Sequence, residues 1–446
     1  MIRKTHLEPW IFHKISGGLS FKNLTREAIV AYQIEKLRET LDYTRRSSPF
    51  YRRHLADYSK GHLSSLNDLS RLPFTTPDDL RNNPLRFLCV PQGEIARVVT
   101  LRTSGTTGES KRLFFTKEDL ELTIDFFGHG MATLVDPGDT VLILLPGNKP
   151  DSVGDLLVRG LKRINVKGVI HGPVQDIRDT VHEIIDHRVD CLVGIPTQVL
   201  AVARNQEGSV IERGRIKSVL LSTDYVPQAI VKEISRLWSC RVFNHYGMTE
   251  MGLGGGVECE ALAGYHLREA DLYFEVVHPG TGEPQKEGEI GEIVFTTLTR
   301  KGMPLIRYRT GDVARFLPEP CLCGTLLRRM ERVRGRWDNA IHFGDGSRLT
   351  LPEVDEVLFP LPWLINYDVT IRAEGGKDFL EIVVYIAPDQ EPKANEVTDA
   401  LMKIPAVREA LEEGHLRLAP VQCSRENRFT TGVVKRRIVD HRPLSF

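Results

Sequence analysis

Residues 141–145 read Val-Leu-Ile-Leu-Leu, and they open the series of short apolar runs that decides the fold: Val169-Ile170, Cys191-Leu-Val-Gly-Ile195, Ser218-Val-Leu-Leu-Ser222 and Arg241-Val-Phe243 follow. Between them lie segments whose apolar residues recur at helical spacing, such as Ile177, Val181, Ile184 and Ile185, then Ile230, Ile234, Leu237 and Trp238. Strands without polar alternation are covered on both faces, and strands that alternate with helices connect in parallel. The chain is therefore expected to be α/β, with a large N-terminal domain of mostly parallel sheets flanked by helices. Ligands bind such sheets beyond the carboxyl ends of the strands, so the residues after each run are the candidates for chemistry.

Working outward, Val30, Ile34, Leu37 and Leu41 give the segment Thr25 to Arg45 an amphipathic helix. Beyond residue 284 the pattern turns antiparallel: residues 288–297, Gly-Glu-Ile-Gly-Glu-Ile-Val-Phe-Thr-Thr, alternate, which predicts a β-rich subdomain. The C-terminal part reads as a small α+β unit, with strands at Val369-Thr-Ile-Arg372 and Phe379-Leu-Glu-Ile-Val-Val-Tyr-Ile386 and a helix from about Ala394 to Leu411. A boundary near Arg336 to Asn339 divides the chain into domains 1–337 and 338–446. At 446 residues the chain exceeds the size of a single core, and 41% hydrophobic residues suffice to build more than one.

Lys+Arg and Asp+Glu both number 59, which argues against nucleic acid or a membrane surface held by bulk charge. Met1 to Trp10 has no apolar run followed by a cleavage site, and no segment is long enough to span a bilayer, so a cytoplasmic protein is expected. Seven cysteines, an odd number, fit reduced thiols better than a disulfide framework.

The stretch Thr103-Ser104-Gly105-Thr106-Thr107-Gly108-Glu109-Ser110-Lys111 follows the extended run Ala96 to Leu101. Its glycines let main-chain N–H groups approach an anion, its hydroxyls add donors, and Lys111 adds charge, although the spacing is not that of a Walker loop. After the run Arg241-Val-Phe243 comes Asn244-His245-Tyr246-Gly247-Met248-Thr249-Glu250, an aromatic ring, a hydroxyl and a carboxylate suited to a base, a phosphate oxygen and Mg²⁺. Arg307-Tyr-Arg-Thr-Gly-Asp312 places a carboxylate after a glycine turn, where it can accept both hydroxyls of a ribose. Each string alone also reads as an ordinary polar turn.

Together with Ser48-Pro-Phe-Tyr51, Leu72-Pro-Phe-Thr-Thr76, Glu258-Cys-Glu260 and Gly335-Arg-Trp-Asp338, in this order and spacing, the strings resemble the adenylate-forming superfamily, and within it the phenylacetate–CoA ligases. The resemblance covers roughly residues 25 to 440. It implies an AMP-forming acid–CoA ligase using ATP, Mg²⁺ and coenzyme A on a small-molecule carboxylic acid. Thr103 to Lys111 would hold the β- and γ-phosphates. Ser222, Thr223 and Asp224 would lie against adenine, with Tyr246 stacking on it and Asn244 and Gly247 completing the nucleotide set. Thr249 would meet the α-phosphate, Glu250 would bind Mg²⁺, Asp312 and Arg336 would take the ribose hydroxyls, and Asp338 would mark a hinge.

Two departures stand out. The family's adenylation lysine directly follows a glycine near the C-terminus, whereas here Thr431-Gly-Val-Val-Lys435 puts Val433 there and shifts the lysine to Lys435, for which a solvated basic strand end is the alternative. The glycine motif that lines the pantetheine tunnel reads Phe343-Gly-Asp-Gly-Ser-Arg348, one residue out of register. Coenzyme A is therefore weighed against a carrier protein or another acceptor, and against a non-catalytic nucleotide-binding homologue; a homodimer stays open.

Cys321-Leu-Cys323, with Cys259 and His266 across the predicted hairpin, makes a three-Cys, one-His set suited to structural Zn²⁺, a site some relatives carry. Cys89, Cys191, Cys240 and Cys423 read as core thiols. At the acyl end, residues 145–154 hold no aromatic side chain, and Phe126, Phe127 and the turn Gly194-Ile-Pro-Thr197 remain as apolar walls. This makes phenylacetate itself doubtful and leaves another aromatic acid, a medium-chain acid or a biosynthetic intermediate.

Overall fold

The computed structural model describes residues 2–17, 24–57, 63–101, 110–344, 346–375, 377–387, 390–426 and 436–442. By proximity the chain groups into two units, Met1–Asp139, Pro146–Gly168 and Phe243–Val333 in one, and Thr140–Leu145, Val169–Val242 and Arg334–Phe446 in the other.

In the second unit the apolar runs become the parallel strands Thr140–Ile143, Cys191–Gly194 and Ser218–Leu221, with Val141 opposite Cys191 and Cys191 opposite Ser218. Every residue of the last two is buried, which is why their sequences carry no polar alternation. Helices Ile177–Asp186, Pro196–Arg204 and Gln228–Trp238 follow the periodicity of their apolar positions and cover this sheet. The same apolar core runs on into the C-terminal residues, where Leu364–Glu374 and Lys377–Ile386 form a long antiparallel pair flanked in parallel by Leu416–Leu418, Gln422–Ser424 and Ile438–Asp440. The helix expected from Ala394 to Leu411 is two, Ala394–Leu401 and Pro405–Glu412. Pro405 has no N–H to give the preceding turn and excludes helical backbone before it, so the second helix starts at the proline.

The first unit is antiparallel in its sheets. Arg97–Leu101 pairs with Lys111–Phe115, and Leu272–Val277, Gly291–Thr297 and Tyr308–Ala314 form a meander. A further ladder runs from Arg241–Tyr246 through Gly256–Glu258, Tyr265–Leu267 and Arg329–Met330 to Phe316–Leu317. The helix Lys117–Met131, started by a capping box between Thr116 and Asp119, crosses Val153–Arg163 at Gly160, where a Cβ would come within 2.8 Å of the Ile124 carbonyl oxygen. Only glycine allows that approach. The helix expected from Thr25 spans Arg26–Ser47, with the Thr25 hydroxyl accepting from the Ala28 N–H.

The Gly311-Asp312 step is a correction. It does not make a turn but lies inside the strand Tyr308–Ala314, where Gly311 has φ +76° and the register with Gly291–Thr297 shifts. Such a bulge re-aims the next side chain, here Asp312. Cys191 and Cys240 are buried as expected and Cys89 is half-buried, but Cys423 is exposed, because it sits on the short strand Gln422–Ser424. Among the described residues no helix is long and apolar enough to cross a membrane.

Candidate active site

Tyr246 closes the strand Arg241–Tyr246, and its hydroxyl donates to Asp312 Oδ2 at 3.0 Å. Burial and the neighbouring Asp312 carboxylate push this phenol well above its ordinary value. Past Gly247 the chain enters the 3₁₀ turn Thr249–Met251, which buries Glu250. Glu250 Oε1 accepts from Lys111 Nζ at 2.5 Å and from the Tyr308 hydroxyl at 3.3 Å. The lysine that ends the hydroxyl-rich loop and the acid that ends the aromatic string thus meet across 139 residues, because the hairpin register places Lys111 at the start of its strand. Arg300 Nη1 donates to the Glu250 carbonyl oxygen at 2.6 Å. Asn244 is buried, and its N–H donates to Glu258, itself held by two bonds from Arg332.

Beside this charged end lies an aromatic group. His245 stands between Phe126 and Phe127, with ring centroids 6.2 and 6.4 Å away, and the Phe126 ring occupies the place where a Cβ on Gly254 would lie, 2.3 Å from Cε1. Burial lowers the His245 imidazole to about 4, so it is neutral at physiological pH.

Cys259, His266, Cys321 and Cys323 come together, their ligand atoms all within 4.8 Å of one another. The pairing of Arg329 with His266 carries the Cys321-Leu-Cys323 segment onto the Gly256–Glu258 and Tyr265–Leu267 hairpin. Cys259 and Cys321 sulfurs lie 3.6 Å apart, and Cys323 Sγ lies 3.5 Å from His266 Nε2. Sulfurs at about 2.3 Å from a tetrahedral ion stand about 3.8 Å apart, so the spacing and donor set fit Zn²⁺. Against the burial that lowers it, hydrogen bonds to Cys321 and Cys323 raise the His266 imidazole to about 9, and a bond from Cys259 draws the Cys323 thiol down to about 3. The N-terminal segment clasps both halves of this knuckle: Arg3 Nε bonds Glu260 at 2.7 Å, and Glu8 accepts from the Thr325 hydroxyl at 2.5 Å and the Leu326 N–H at 3.1 Å.

Ser222, Thr223, Asp224 and Arg336 belong to the second unit. Thr223 has φ +77°, a strained conformation for a β-branched residue, and its buried hydroxyl has no hydrogen-bond partner among the described residues. Asp224 Oδ2 accepts from the Arg436 N–H at 3.3 Å and lies 3.6 Å from its Nε. The Arg436 guanidinium also pairs with buried Asp355, which accepts from the Tyr367 hydroxyl. Burial raises the Asp355 carboxyl to about 6. Thr103, Ser104, Gly105, Thr106, Thr107, Gly108 and Lys435 lie outside the described residues.

Residues 96–298 match the family of AMP-binding enzymes. Over 406 residues the chain is 32% identical to a phenylacetate–coenzyme A ligase of Thermus thermophilus, covering 87% of this chain and 90% of that one. The chain belongs to the phenylacetate–CoA ligase family. It is an adenylate-forming acid–CoA ligase. The Escherichia coli phenylacetate–coenzyme A ligase is 28% identical over 396 residues, 86% of each chain. In fold, this family member is similar to 2-hydroxyisobutyryl-CoA ligase in complex with 2-HIB-AMP, with a TM-score of 0.78, 21% identity, and 93% of this chain and 89% of that chain covered.

Two partners of Glu250 are not marked by the sequence: Tyr308, although the string Tyr308 to Asp312 contains it, and Arg300. Met303-Pro-Leu-Ile-Arg-Tyr308 reads as core, and its partners are fixed by strand pairing. The basic pair Arg300-Lys301 follows two residues after the strand Gly291–Thr297, an ordinary place for surface arginines, so no local pattern marks Arg300.

Proposed function

We propose that the acid activated is an aryl or short apolar carboxylic acid, and that the Lys111–Glu250–Tyr308 constellation is the polyphosphate end of its active site. The observation that carries this is the ion pair of half-buried Lys111 with buried Glu250 beyond the carboxyl end of Arg241–Tyr246. In the first half-reaction a carboxylate oxygen bonds to the ATP α-phosphorus as the bond to the β-phosphate oxygen breaks, releasing pyrophosphate. In the second the coenzyme A thiol loses its proton and bonds to the acyl carbon, and AMP leaves.

Glu250 would hold Mg²⁺, which favours one or two carboxylates together with substrate phosphates and, when bound, offsets charge on the phosphoryl oxygens. Lys111 would then turn from Glu250 to the β- and γ-phosphates beside Thr103 to Gly108, and Thr249 would donate to the α-phosphate. Tyr246 and the segment Ser222 to Asp224 would receive adenine, with Asn244 and Gly247 shaping the floor. Asp312 and Arg336 would take the ribose. Lys435 would supply the charge for adenylation, carried by a domain 338–446 that turns about Asp338. Phe126, Phe127 and neutral His245 support an uncharged, flat acyl group, as does the activity for which the relatives are named. The four thiol and imidazole ligands leave no open coordination position, so Zn²⁺ there would be structural.

Carboxylate-dependent exchange of labelled pyrophosphate into ATP, run without coenzyme A over aryl and alkyl acids, tests this reading. Exchange led by aryl acids is the expected result, followed by AMP release that depends on coenzyme A. Release that depends instead on a carrier protein would move the acceptor, and ATP binding without exchange by any acid would favour the non-catalytic reading.

A further inference from the structure

Arg300 is 7% exposed, and among the described residues no carboxylate lies within ion-pair distance of it. One side of its guanidinium bonds the Glu250 carbonyl oxygen at 2.6 Å, its face lies 4.6 Å from the centre of the Phe115 ring, and Nη2 is buried with no hydrogen-bond partner among the described residues. Asp119 and Glu250 act on it only from beyond ion-pair distance. Taking a cation out of water without a direct ion-pair partner is costly, and a fold tolerates it where the charge has a use. The loop that carries Arg300 cannot swing away. Asp119 accepts from the N–H groups of Lys301 and Gly302 at 2.7 and 2.9 Å, and the Thr299 hydroxyl donates to Asp271 at 2.9 Å. On the other side of the turn, the Thr123 hydroxyl donates to the Gly252 carbonyl at 2.8 Å.

We infer that Arg300 is a positioning residue for nucleotide binding: through the Glu250 main chain it fixes the Thr249–Met251 turn and sets a positive charge without an ion-pair partner beneath the polyphosphate. The inference rests on the reading of Glu250 and Lys111 as the polyphosphate end. Glu250 is paired with Lys111 and the Asp119 carboxylate is taken up by the Lys301 and Gly302 N–H groups, so neither forms an ion pair with Arg300 that an incoming anion would have to break. Burial lowers the guanidinium only to about 10, which keeps it protonated at neutral pH. A fixed cation in a water-excluded place is the kind of preorganised charge that needs no rearrangement when the anion arrives.

The test is equilibrium binding of Mg–ATP, with thermal melting, on the parent protein and on Arg300→Met and Arg300→Lys. Arg300→Met is expected to weaken binding about tenfold or more, and Arg300→Lys by no more than about threefold, because the ammonium retains the charge and a donor for the carbonyl. The melting temperature of Arg300→Met should not fall, since the substitution removes an unpaired buried charge. Unchanged binding in Arg300→Met, or a loss in both variants that follows a fall in melting temperature, overturns the inference. A parent that binds no Mg–ATP overturns the polyphosphate reading and the inference with it, whereas parental binding that Arg300→Met leaves intact removes the inference alone.

Discussion

Two buried polar clusters of the first unit sit at opposite ends of one hairpin, and they are satisfied in opposite ways. Glu250 leads into the Arg241–Tyr246 and Gly256–Glu258 pairing from its loop, and Cys259 follows directly after it. At Glu250 the protein supplies its own counter-charge: a lysine and a phenol already stand on the carboxylate. At Cys259 soft donors face one another, and His266 Nδ1 is buried without a partner among the described residues. An oxygen cluster that is complete on its own can exchange partners and so take part in a cycle. A sulfur cluster whose charges need a cation is suited to holding one in place.

The comparison breaks most visibly at Glu250. Glu250→Gln should lower pyrophosphate exchange by roughly 10²–10³, the scale of losing one charge-stabilising group. Lys435→Ala should do the same, and near-normal exchange in it would remove that assignment. At the sulfur end, metal analysis should find about one Zn²⁺ per chain, lost in Cys321→Ser; if the site contributes about 3 kcal/mol, melting should fall by roughly 6–12 °C. A metal-free protein of full stability would end the structural-metal reading.

Between the two clusters, His245 sharpens the contrast through pH. Its imidazole is lowered from 6.5 to about 4, so the unfolded chain binds a proton that the folded chain refuses. Stability from this group is complete above pH 6.5 and is lost as pH falls toward about 4. Denaturation followed over that range should be less pH-dependent in His245→Asn. The smallest effect belongs to the clasp on the knuckle. Glu8→Gln should cost about 1 kcal/mol while leaving zinc content unchanged, measured by urea melts and metal analysis.

Much of the architecture was legible because the second unit's strands are buried on both faces and its helices carry clean stripes. The helix 394–411 was misjudged where Pro405 overrode continuous periodicity. The motif strings pointed to Lys111, Glu250, Tyr246 and Asp312, yet the bonds among them depend on strand register, which no local pattern states. Gly311 looked like a turn because a bulge uses the same residue for the same backbone reason. Arg300 was invisible since an arginine after an apolar run is ordinary on a surface, and only burial makes it unusual.

Arg436 gives the C-terminal segment a benchmark, in the surveyor's sense. Its main chain is tied to Asp224 and its side chain to Asp355, two acids from distant stretches of sequence. Replacing Asp355 would strand a largely buried guanidinium, so the segment 436–442 is moored to the fold by charge as well as by its strand pairing.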